Sequence, residues 1–366
     1  MKAKPAILIA TFPIARTGPH LSLQAMLDDD RFRDAFDAQV WHVPDRYRGP
    51  RGKLSLLRDA RATLASSGKD ALVYLNLDMS LAFWLCIAFK LAGAKTLVAH
   101  SHNSHFSSPS SRWRRFLFKC VISGLTDVHA AVCQGSAKAM FLGDPARVLL
   151  VPSFIDFEAL HRQAAVLPVR VRAPGDRFVF ACIGRLMAQK NQSLAIRALA
   201  GLRRAGRDVE LLLLGEGEDR AMLESLAKAE GVADRVVLTG VSDNVGAVCR
   251  GRIDALLLPS LYEGQVRIAA EAQSFGLPMA ISAGIADVAL LDDVGVIKGL
   301  PLEVAAWEAA MQRLMDMPRG RERPLEELNR HRLSSVRGAA AFYEVLLDNA
   351  RGRHSANNKR SEHHEA

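Results

Sequence analysis

The sequence predicts an α/β protein built on parallel sheets, and three observations lead to this prediction. Short apolar runs alternate with helical patterns through residues 178–258, which is typical of βαβ units with right-handed crossovers. Glycines follow these runs and would let a flat ligand approach the backbone at the strand ends. At 366 residues the chain exceeds the size at which one core keeps growing, so two domains are expected.

The N-terminal half begins with an apolar run at 6–10 that predicts a first buried strand. Strands are also predicted at 71–75 and 95–99, on either side of a buried helix at 81–91. The first run is too short for the core of a signal peptide. The longer apolar stretch, 79–89, is also too short to cross roughly 30 Å of hydrocarbon as a helix.

Composition indicates an ordinary globular protein, with 49% apolar and 24% charged residues. The cysteines are five in number and occur singly, without a CxxC pair, so neither a zinc site nor a disulfide framework is predicted. A reducing compartment, and hence a cytoplasmic location, is expected.

A cation pair follows the strand predicted at 178–183. Gly184, Arg185 and Leu186 form a turn, Lys190 comes next, and a helical pattern starts at Gln192. Arg185 offers a planar fork of donors for phosphate, and Lys190 adds a point charge at the start of the helix. The alternative is a salt-bridged surface arginine beside a solvated lysine.

Two glutamates eight positions apart follow a later strand. The run 253–258 predicts a buried strand and 266–275 a helix, so Glu263 lies on the connecting loop and Glu271 inside the helix. In a parallel sheet both would flank a crevice whose helix N-terminus favours phosphate. The alternative is a solvated loop residue and a surface position of a helix.

Together, these glutamates and the Gly-Arg-Leu turn followed by lysine resemble the retaining glycosyltransferases of family 4, over most of the chain. The resemblance implies the GT-B fold: two Rossmann-like domains facing each other across a cleft, with a C-terminal helix crossing back to the N-terminal domain. It implies a sugar-nucleotide donor and no cofactor or divalent metal. The donor-side residues that it implies are Glu263 for the sugar, Glu271 for the ribose, Arg185, Lys190 and the amides of Gly264 and Gln265 for the diphosphate, and the turn at Gly240 and Val241 beside the base.

The predicted domain boundary is a proline-containing segment at 168–175. It separates an acceptor-side domain, 1–167, from a donor domain, 176–330; a helix at about 333–350 returns to the first domain, and 351–366 is predicted to be disordered. Residues 1–170 hold 22 Lys and Arg against 13 Asp and Glu, whereas the remainder is balanced. A basic acceptor-side domain favours an acidic acceptor or an anionic membrane surface.

The densest basic segment is Arg112–Lys119, which as a helix carries an apolar stripe beside an arginine-rich one. Such a helix can lie in a membrane interface, so the protein is expected to be cytoplasmic or peripheral at the inner face of the membrane. The alternative is an ordinary helix packed on its own sheet with its arginines in water.

A histidine cluster, His100, His102 and His105, follows the strand at 95–99. No cysteine or carboxylate stands at ligand spacing, which weakens a metal site. The run resembles that of bacterial exopolysaccharide and capsule glycosyltransferases, which implies that His100 or His102 positions the acceptor hydroxyl or the donor phosphate.

Two stretches depart from the family pattern. The loop at 11–20 contains only Gly18 where the family has a glycine-rich turn, although Arg16 and His20 could replace some donor contacts. Within the second motif, residues 265–267 replace small and apolar residues, and Arg267 either favours a donor that carries a carboxylate or faces solvent.

The predicted function is transfer of a sugar from a nucleotide sugar to a glycan or lipid-linked acceptor with retention of configuration, in surface polysaccharide synthesis. Glu263 would hold the sugar while the acceptor attacks from the side of the leaving group. The alternatives are a non-catalytic GT-B module that binds glycan or a partner, a GT-B epimerase or phosphorylase, and a nucleic-acid binder. The last is suggested only by a pI of about 9.5 and has no motif, so no nucleic-acid partner is expected.

Overall fold

The computed structural model describes residues 4–11, 18–48, 50–68, 70–77, 79–102, 111–285, 295–330 and 335–351. The chain divides into two compact units. The first comprises Met1–Ile155 and Arg332–Ala366, and the second Asp156–His331. The predicted tail at 351–366 lies, except for Arg351, outside the described residues.

The first unit is built on a six-stranded parallel sheet in the order β2-β1-β3-β4-β5-β6. Its central strands are buried along their whole length, as expected for a sheet that is covered on both faces. The strands are β1 (Ala6–Thr11), β2 (Asp37–His42), β3 (Leu72–Asn76), β4 (Leu97–Ser101), β5 (Val128–Ala131) and β6 (Leu149–Leu150).

Helices cover both faces of this sheet and enclose two apolar clusters. The helices are α1 (Gly18–Asp28), α2 (Asp30–Ala35), α3 (Pro50–Ser67), α4 (Met79–Ala92), α5 (Arg112–Leu125), α6 (Gln134–Met140) and, at the end of the chain, α14 (Ser335–Ala350). Phe342 and Leu346 of α14 are fully buried in the cluster that contains Ile7 and Ile9 of β1. The C-terminal helix is therefore part of the first unit.

The second unit contains another six-stranded parallel sheet, in the order β12-β11-β10-β7-β8-β9. Its strands are β7 (Phe178–Ile183), β8 (Val209–Leu214), β9 (Val236–Gly240), β10 (Ala255–Leu258), β11 (Met279–Ser282) and β12 (Val296–Leu300). Since β7 pairs with both β8 and β10, the strand order reverses between β7 and β10.

The helices of the second unit also pack on both faces of their sheet. They are α7 (Phe157–Ala164), α8 (Gln192–Arg204), α9 (Arg220–Ala229), α10 (Val245–Gly251), α11 (Arg267–Ser274), α12 (Val304–Asp316) and α13 (Leu325–Arg330). The predicted α/β class is thus confirmed, with one parallel sheet in each unit. None of the helices in the described ranges is both long and apolar enough to cross a membrane.

Candidate functional site

The loops that follow β7 and β10 meet at the carboxyl edge of the second sheet. The chain leaves β7 toward β8 and leaves β10 toward β11, on opposite sides of the pair. A parallel sheet opens a crevice at such a reversal, and ligands of α/β proteins bind there. The residues after Ile183 and after Leu258 therefore occupy the position in this unit that is best suited to a ligand.

Hydrogen bonds join these two loops directly. The amide of Leu261 donates to the carbonyl of Gln189 at 2.8 Å, and the Gln189 side chain donates to the carbonyl of Tyr262 at 3.0 Å. The side chain of Asn191 reaches the carbonyl of Pro259 at 3.2 Å. Asn191 is left-handed, with φ of 51°, a conformation that asparagine adopts more readily than most residues. The loops consequently form one connected rim.

Lys190 and Glu263 meet across this rim. The Lys190 ammonium lies 2.5 Å from Oε1 of Glu263, and the two side chains are only 26% and 10% exposed. A charge-assisted bond in partly buried surroundings holds both groups in one geometry. Two of the predicted site residues, 73 positions apart in the sequence, are therefore in contact.

Arg185 lies at the tip of the turn after β7, and its residue is exposed. The turn packs closely against Gly215, since a Cβ atom at that position would lie only 2.0 Å from the carbonyl oxygen of Gly184. The buried Gln192 side chain also donates a hydrogen bond to the Arg185 carbonyl at 2.9 Å. The backbone of Arg185 is held while its guanidinium forms no ion pair with a described residue, so it remains available to an anion.

Glu271 projects from the first turns of α11 and is 9% exposed. Nε and Nη2 of Arg267 both bond to its Oε1, at 3.1 and 2.8 Å. Arg267 therefore does not face open solvent, which was one of its two predicted alternatives: its side chain is only 14% exposed. The N-cap residue of α11, Val266, makes no side-chain capping hydrogen bond.

The remaining donor-side candidates lie at different depths. Gly264 is buried and Gln265 half-buried, between Glu263 and the start of α11. Gly240 ends the edge strand β9 and accepts a hydrogen bond from the amide of Gly215 at 2.8 Å. Val241 beside it is 56% exposed. This turn is two strands from β7, on the side of the edge strand.

In the first unit, His100 is a core residue. It is 1% exposed, its Nε2 donates to the carbonyl of Val151 at 3.3 Å, and its Nδ1 accepts from the hydroxyl of Tyr74 at 2.5 Å. The ring also packs beside Phe342, with centroids 5.9 Å apart. Burial lowers the pKa of His100 to about 4, so the imidazole is neutral.

His102 stacks on His100 with ring centroids 4.3 Å apart. Burial and, to a smaller extent, the neighbouring His100 lower its pKa well below the usual value. Its Nε2 is buried and has no hydrogen-bond partner among the described residues. Of the two predicted histidines, His102 is therefore the one with a ring nitrogen left for a ligand. The third, His105, lies outside the described residues.

Other buried polar atoms lie near the same carboxyl edge of the first sheet. Oδ1 of Asn76, at the end of β3, and Nδ1 of His20, in α1, lack a hydrogen-bond partner among the described residues. Asn76 does donate to the hydroxyl of Thr11 at 3.4 Å. Within the predicted loop at 11–20, residues 12–17, including Arg16, are outside the described part of the chain, and Gly18 begins α1.

Helix α5 exposes apolar and basic side chains together. Trp113 is 69% exposed, Phe116 50% and Leu117 41%, whereas Phe118 and Ile122 pack on the core. A cavity of about 330 Å³ beside the helix is lined by Arg112, Arg115, Phe116, Lys119 and Leu142. The helix thus packs on the core through Phe118, Val121 and Ile122, while part of its apolar stripe remains exposed.

Three residues that sequence reasoning did not single out hold the rim together: Gln189, Asn191 and Gln192. Their signal was a run of carboxamide side chains around Lys190, directly after a strand. Among the described residues, no group of three or more His, Cys, Asp or Glu side chains is arranged to hold a metal ion.

Comparison with known proteins shows what the second unit resembles. Residues 167–330 match the family model described as glycosyl transferases group 1. We refer to residues 167–330, which resemble the group 1 glycosyl transferases, as the group 1 domain. The group 1 domain contains the whole rim described above, and the predicted resemblance to family 4 glycosyltransferases is confirmed.

Relatives extend the similarity beyond the group 1 domain. EpsF of Bacillus subtilis (strain 168), a protein named as a glycosyltransferase, is 28% identical over 68% of this chain and 66% of its own length. A 2-deoxystreptamine glucosyltransferase of Streptomyces kanamyceticus is 31% identical over 63% of this chain and 62% of its own. The chain thus spans slightly less than two thirds of the length of these relatives.

A solved structure extends the similarity to the fold of nearly the whole chain. The Anabaena protein HepE, in complex with UDP and glucose, superimposes with a TM-score of 0.70 at 18% identity. The alignment covers 93% of this chain and 99% of HepE. Together with the two parallel sheets, this likeness confirms the predicted two-domain GT-B fold.

Proposed function

We propose that the protein is a retaining glycosyltransferase that moves a hexose from a nucleotide sugar to a glycan or lipid-linked acceptor in surface polysaccharide synthesis. The observation that carries this proposal is the contact of Lys190 with Glu263 at 2.5 Å, at the reversal point of a parallel sheet inside a group 1 domain. Cation and carboxylate are thereby presented side by side, as a ligand with both phosphate and hydroxyl groups requires.

The donor is held by the rim of the group 1 domain. Arg185 and Lys190 bind the diphosphate together with the amides of Gly264 and Gln265, since guanidinium, ammonium and backbone amide groups all donate hydrogen bonds to phosphate. Glu263 accepts hydroxyls of the sugar while Lys190 holds its carboxylate in place. Glu271 accepts hydroxyls of the ribose in the same way, and Gly240 with Val241 lies beside the base.

The chemistry assigned to these residues is electrostatic. As the glycosidic bond breaks, negative charge grows on the departing diphosphate, and Arg185 and Lys190 neutralise it from fixed positions. Because Arg185 and Lys190 both follow β7 and the amides of Gly264 and Gln265 precede α11 on the loop that contacts Lys190, we assign this task to the chain itself, without a divalent metal. The acceptor hydroxyl attacks from the face on which the diphosphate leaves, and the configuration is retained.

The acceptor side belongs to the first unit. His102 and Asn76 keep buried polar atoms that no described residue pairs with, near the carboxyl edge of its sheet, and such atoms are satisfied when a hydroxylated ligand binds. His100 supports the edge from the core. The exposed apolar and basic groups of α5 bring the protein to an anionic membrane surface, where a lipid-linked acceptor is found. The cysteines of the described residues are all free thiols, which agrees with a cytoplasmic location.

A turnover experiment tests the proposal. Release of nucleoside diphosphate from a panel of UDP, GDP and ADP sugars is measured for the wild type and for Glu263→Gln and Lys190→Ala. We expect the wild type to turn over one donor, and each variant to lose on the order of 100-fold or more in kcat, because a fixed electrostatic contact to the transition state is removed.

Arg204→Ala is the matched control, because Arg204 lies on α8 with 65% exposure and only a 3.8 Å approach to Glu230. It should retain wild-type turnover. The melting temperature of Glu263→Gln should change little, since the amide oxygen can still accept from Lys190. Unchanged turnover in either rim variant, or no turnover of any donor by the wild type, would contradict the proposed function.

A further inference from the structure

Arg267 occupies a position that the energetics of its own helix do not favour. It is the first residue of α11, where the helix dipole presents partial positive charge and a cation is repelled. The pair also runs from arginine to glutamate along the chain, which is the weaker direction for an (i, i+4) ion pair. Helix stability therefore gives no reason for this arginine.

The burial of Arg267 and Glu271 also argues against a stabilising role for their ion pair. The side chains of Arg267 and Glu271 are only 14% and 11% exposed, and the cost of removing two charges from water cancels much of their attraction. Residues that break a local rule without a gain in stability are characteristic of functional sites. What the pair does impose is a fixed geometry on the Glu271 carboxylate.

That geometry is asymmetric. Two of the three guanidinium nitrogens, Nε and Nη2, bond to the same oxygen, Oε1, at 3.1 and 2.8 Å. No described residue donates a hydrogen bond to Oε2 of Glu271. An ionised carboxylate is only an acceptor, so the oxygen left over suits a ligand that donates hydroxyl groups. Arg267 fixes the side chain by one oxygen and leaves the other to be used.

The neighbouring groups define which hydroxyls these are. Glu271 lies in the second turn of the helix that follows the Glu263 loop, and Glu263 contacts Lys190. A ligand that fills this rim carries phosphates and, adjacent to them, a hydroxylated ring. The ribose of a nucleoside diphosphate has this composition, with two neighbouring hydroxyls close to the phosphates.

We propose that Arg267 is a positioning residue that orients Glu271, and that it thereby sets the preference of the site for ribonucleotides over 2′-deoxyribonucleotides. This inference rests on the proposed function, because it assumes that a nucleotide occupies the rim. It adds a residue that replaces a small or apolar one in the family pattern. Arg267 acts on selection of the nucleotide, through Glu271, and not on the departing phosphates.

Isothermal titration tests the inference. UDP, GDP and ADP are titrated into the wild type, and the tightest of them is compared with its 2′-deoxy counterpart. We expect the wild type to bind the ribonucleotide about tenfold or more tightly, the size typical of a hydrogen bond to a charged group. In Arg267→Ala this ratio should fall to about twofold or less, with affinity for the deoxynucleotide nearly unchanged.

Two further variants separate positioning from structure. Arg267→Lys keeps a cation near Glu271 and should restore part of the ratio, whereas Glu271→Gln should lose it as Arg267→Ala does. Arg204→Ala should keep the wild-type ratio. A general loss of folding would weaken the binding of the ribonucleotide and of its 2′-deoxy counterpart equally. It would also lower the melting temperature, which is measured in parallel.

The outcomes are distinct. If no nucleoside diphosphate binds the wild type, the proposed function itself fails. If one binds and Arg267→Ala keeps the wild-type ratio, only the role of Arg267 is overturned. A selective loss of ribose preference, with partial recovery in Arg267→Lys, supports it.

Discussion

The contact between Lys190 and Glu263 illustrates how single residues are prepared for a ligand. Each side chain is held by the other at 2.5 Å, so neither must be ordered again when a ligand arrives. Arg267 and Glu271 form a second such pair in the same domain. Arg185 is exposed and outside both pairs. A dianionic diphosphate therefore meets one unpaired guanidinium and one lysine whose glutamate already fixes its position.

His100 leads to a prediction about acid stability. Its pKa is about 4 in the folded protein because the ring is buried, whereas an unfolded histidine titrates near 6.5. At a pH between these two pKa values, the unfolded state binds a proton on this ring and the folded state does not. Stability is fully present above about pH 6.5 and falls as the pH drops toward 4, by about 2 kcal/mol between pH 6.5 and 5 from this group alone.

His100→Gln should remove that contribution. The amide can still bond to Tyr74 and Val151, so the variant is expected to fold. Unfolding by urea at pH 7 and pH 5 should show a smaller loss of stability in His100→Gln than in the wild type. His42→Gln, at an exposed position on β2, is the matched control and should behave as the wild type does. An identical loss in His100→Gln would show that His100 is accessible to protons in the fold.

At the scale of elements, glycines decide how closely the site's loops approach one another. A Cβ atom at Gly217, after β8, would lie 2.0 Å from the carbonyl oxygen of Leu186. One at Gly284, after β11, would lie 2.1 Å from that of Leu261. The turns that carry Arg185 and Glu263 therefore each pack against a glycine that follows a neighbouring strand. Their positions are properties of the sheet edge and not of the turns alone.

Helix α5 is expected to bind anionic membranes. Its exposed Trp113 and Phe116 lie beside Arg112 and Arg115, so vesicles containing phosphatidylglycerol should bind the protein and phosphatidylcholine vesicles should not. Binding should weaken as salt rises, because each basic group near an anionic surface contributes about 1 kcal/mol that ions screen. Co-flotation with the two kinds of vesicle measures this.

Variants distinguish the apolar from the basic contribution. Trp113→Ala with Phe116→Ala should reduce binding at every salt concentration, whereas Arg112→Ala with Arg115→Ala should mainly reduce its salt dependence. Val171→Ala removes an apolar side chain that is 87% exposed in the other unit and should have no effect. Equal binding to both kinds of vesicle would contradict a charge-guided membrane surface.

For the whole molecule, the sequence was sufficient where the signal is local. Apolar runs of strand length predicted the sheets, and a cation after one strand and a carboxylate after another predicted the rim, because strand ends of a parallel sheet share an edge. The position of His100 could not be predicted in this way. Its ring packs beside Phe342, and that contact joins residues far apart in the chain.

The pairing of Arg267 with Glu271 could be predicted only in part from the sequence. Four-residue spacing on a helix permits contact, but spacing does not say whether the arginine turns inward or into solvent. The exposed stripe of α5 is similar, since helical periodicity shows that an apolar face exists without showing which part of it the sheet covers. Tertiary packing decides both.

We expect a nucleotide sugar to bind at Arg185, Lys190, Glu263 and Glu271. A crystal structure of the protein with its preferred nucleoside diphosphate tests this most directly. We expect phosphate oxygens within hydrogen-bonding distance of Lys190 Nζ and the amides of Gly264 and Gln265, and a ribose hydroxyl on Glu271. A nucleotide bound elsewhere in the chain, with this rim empty, would contradict the account.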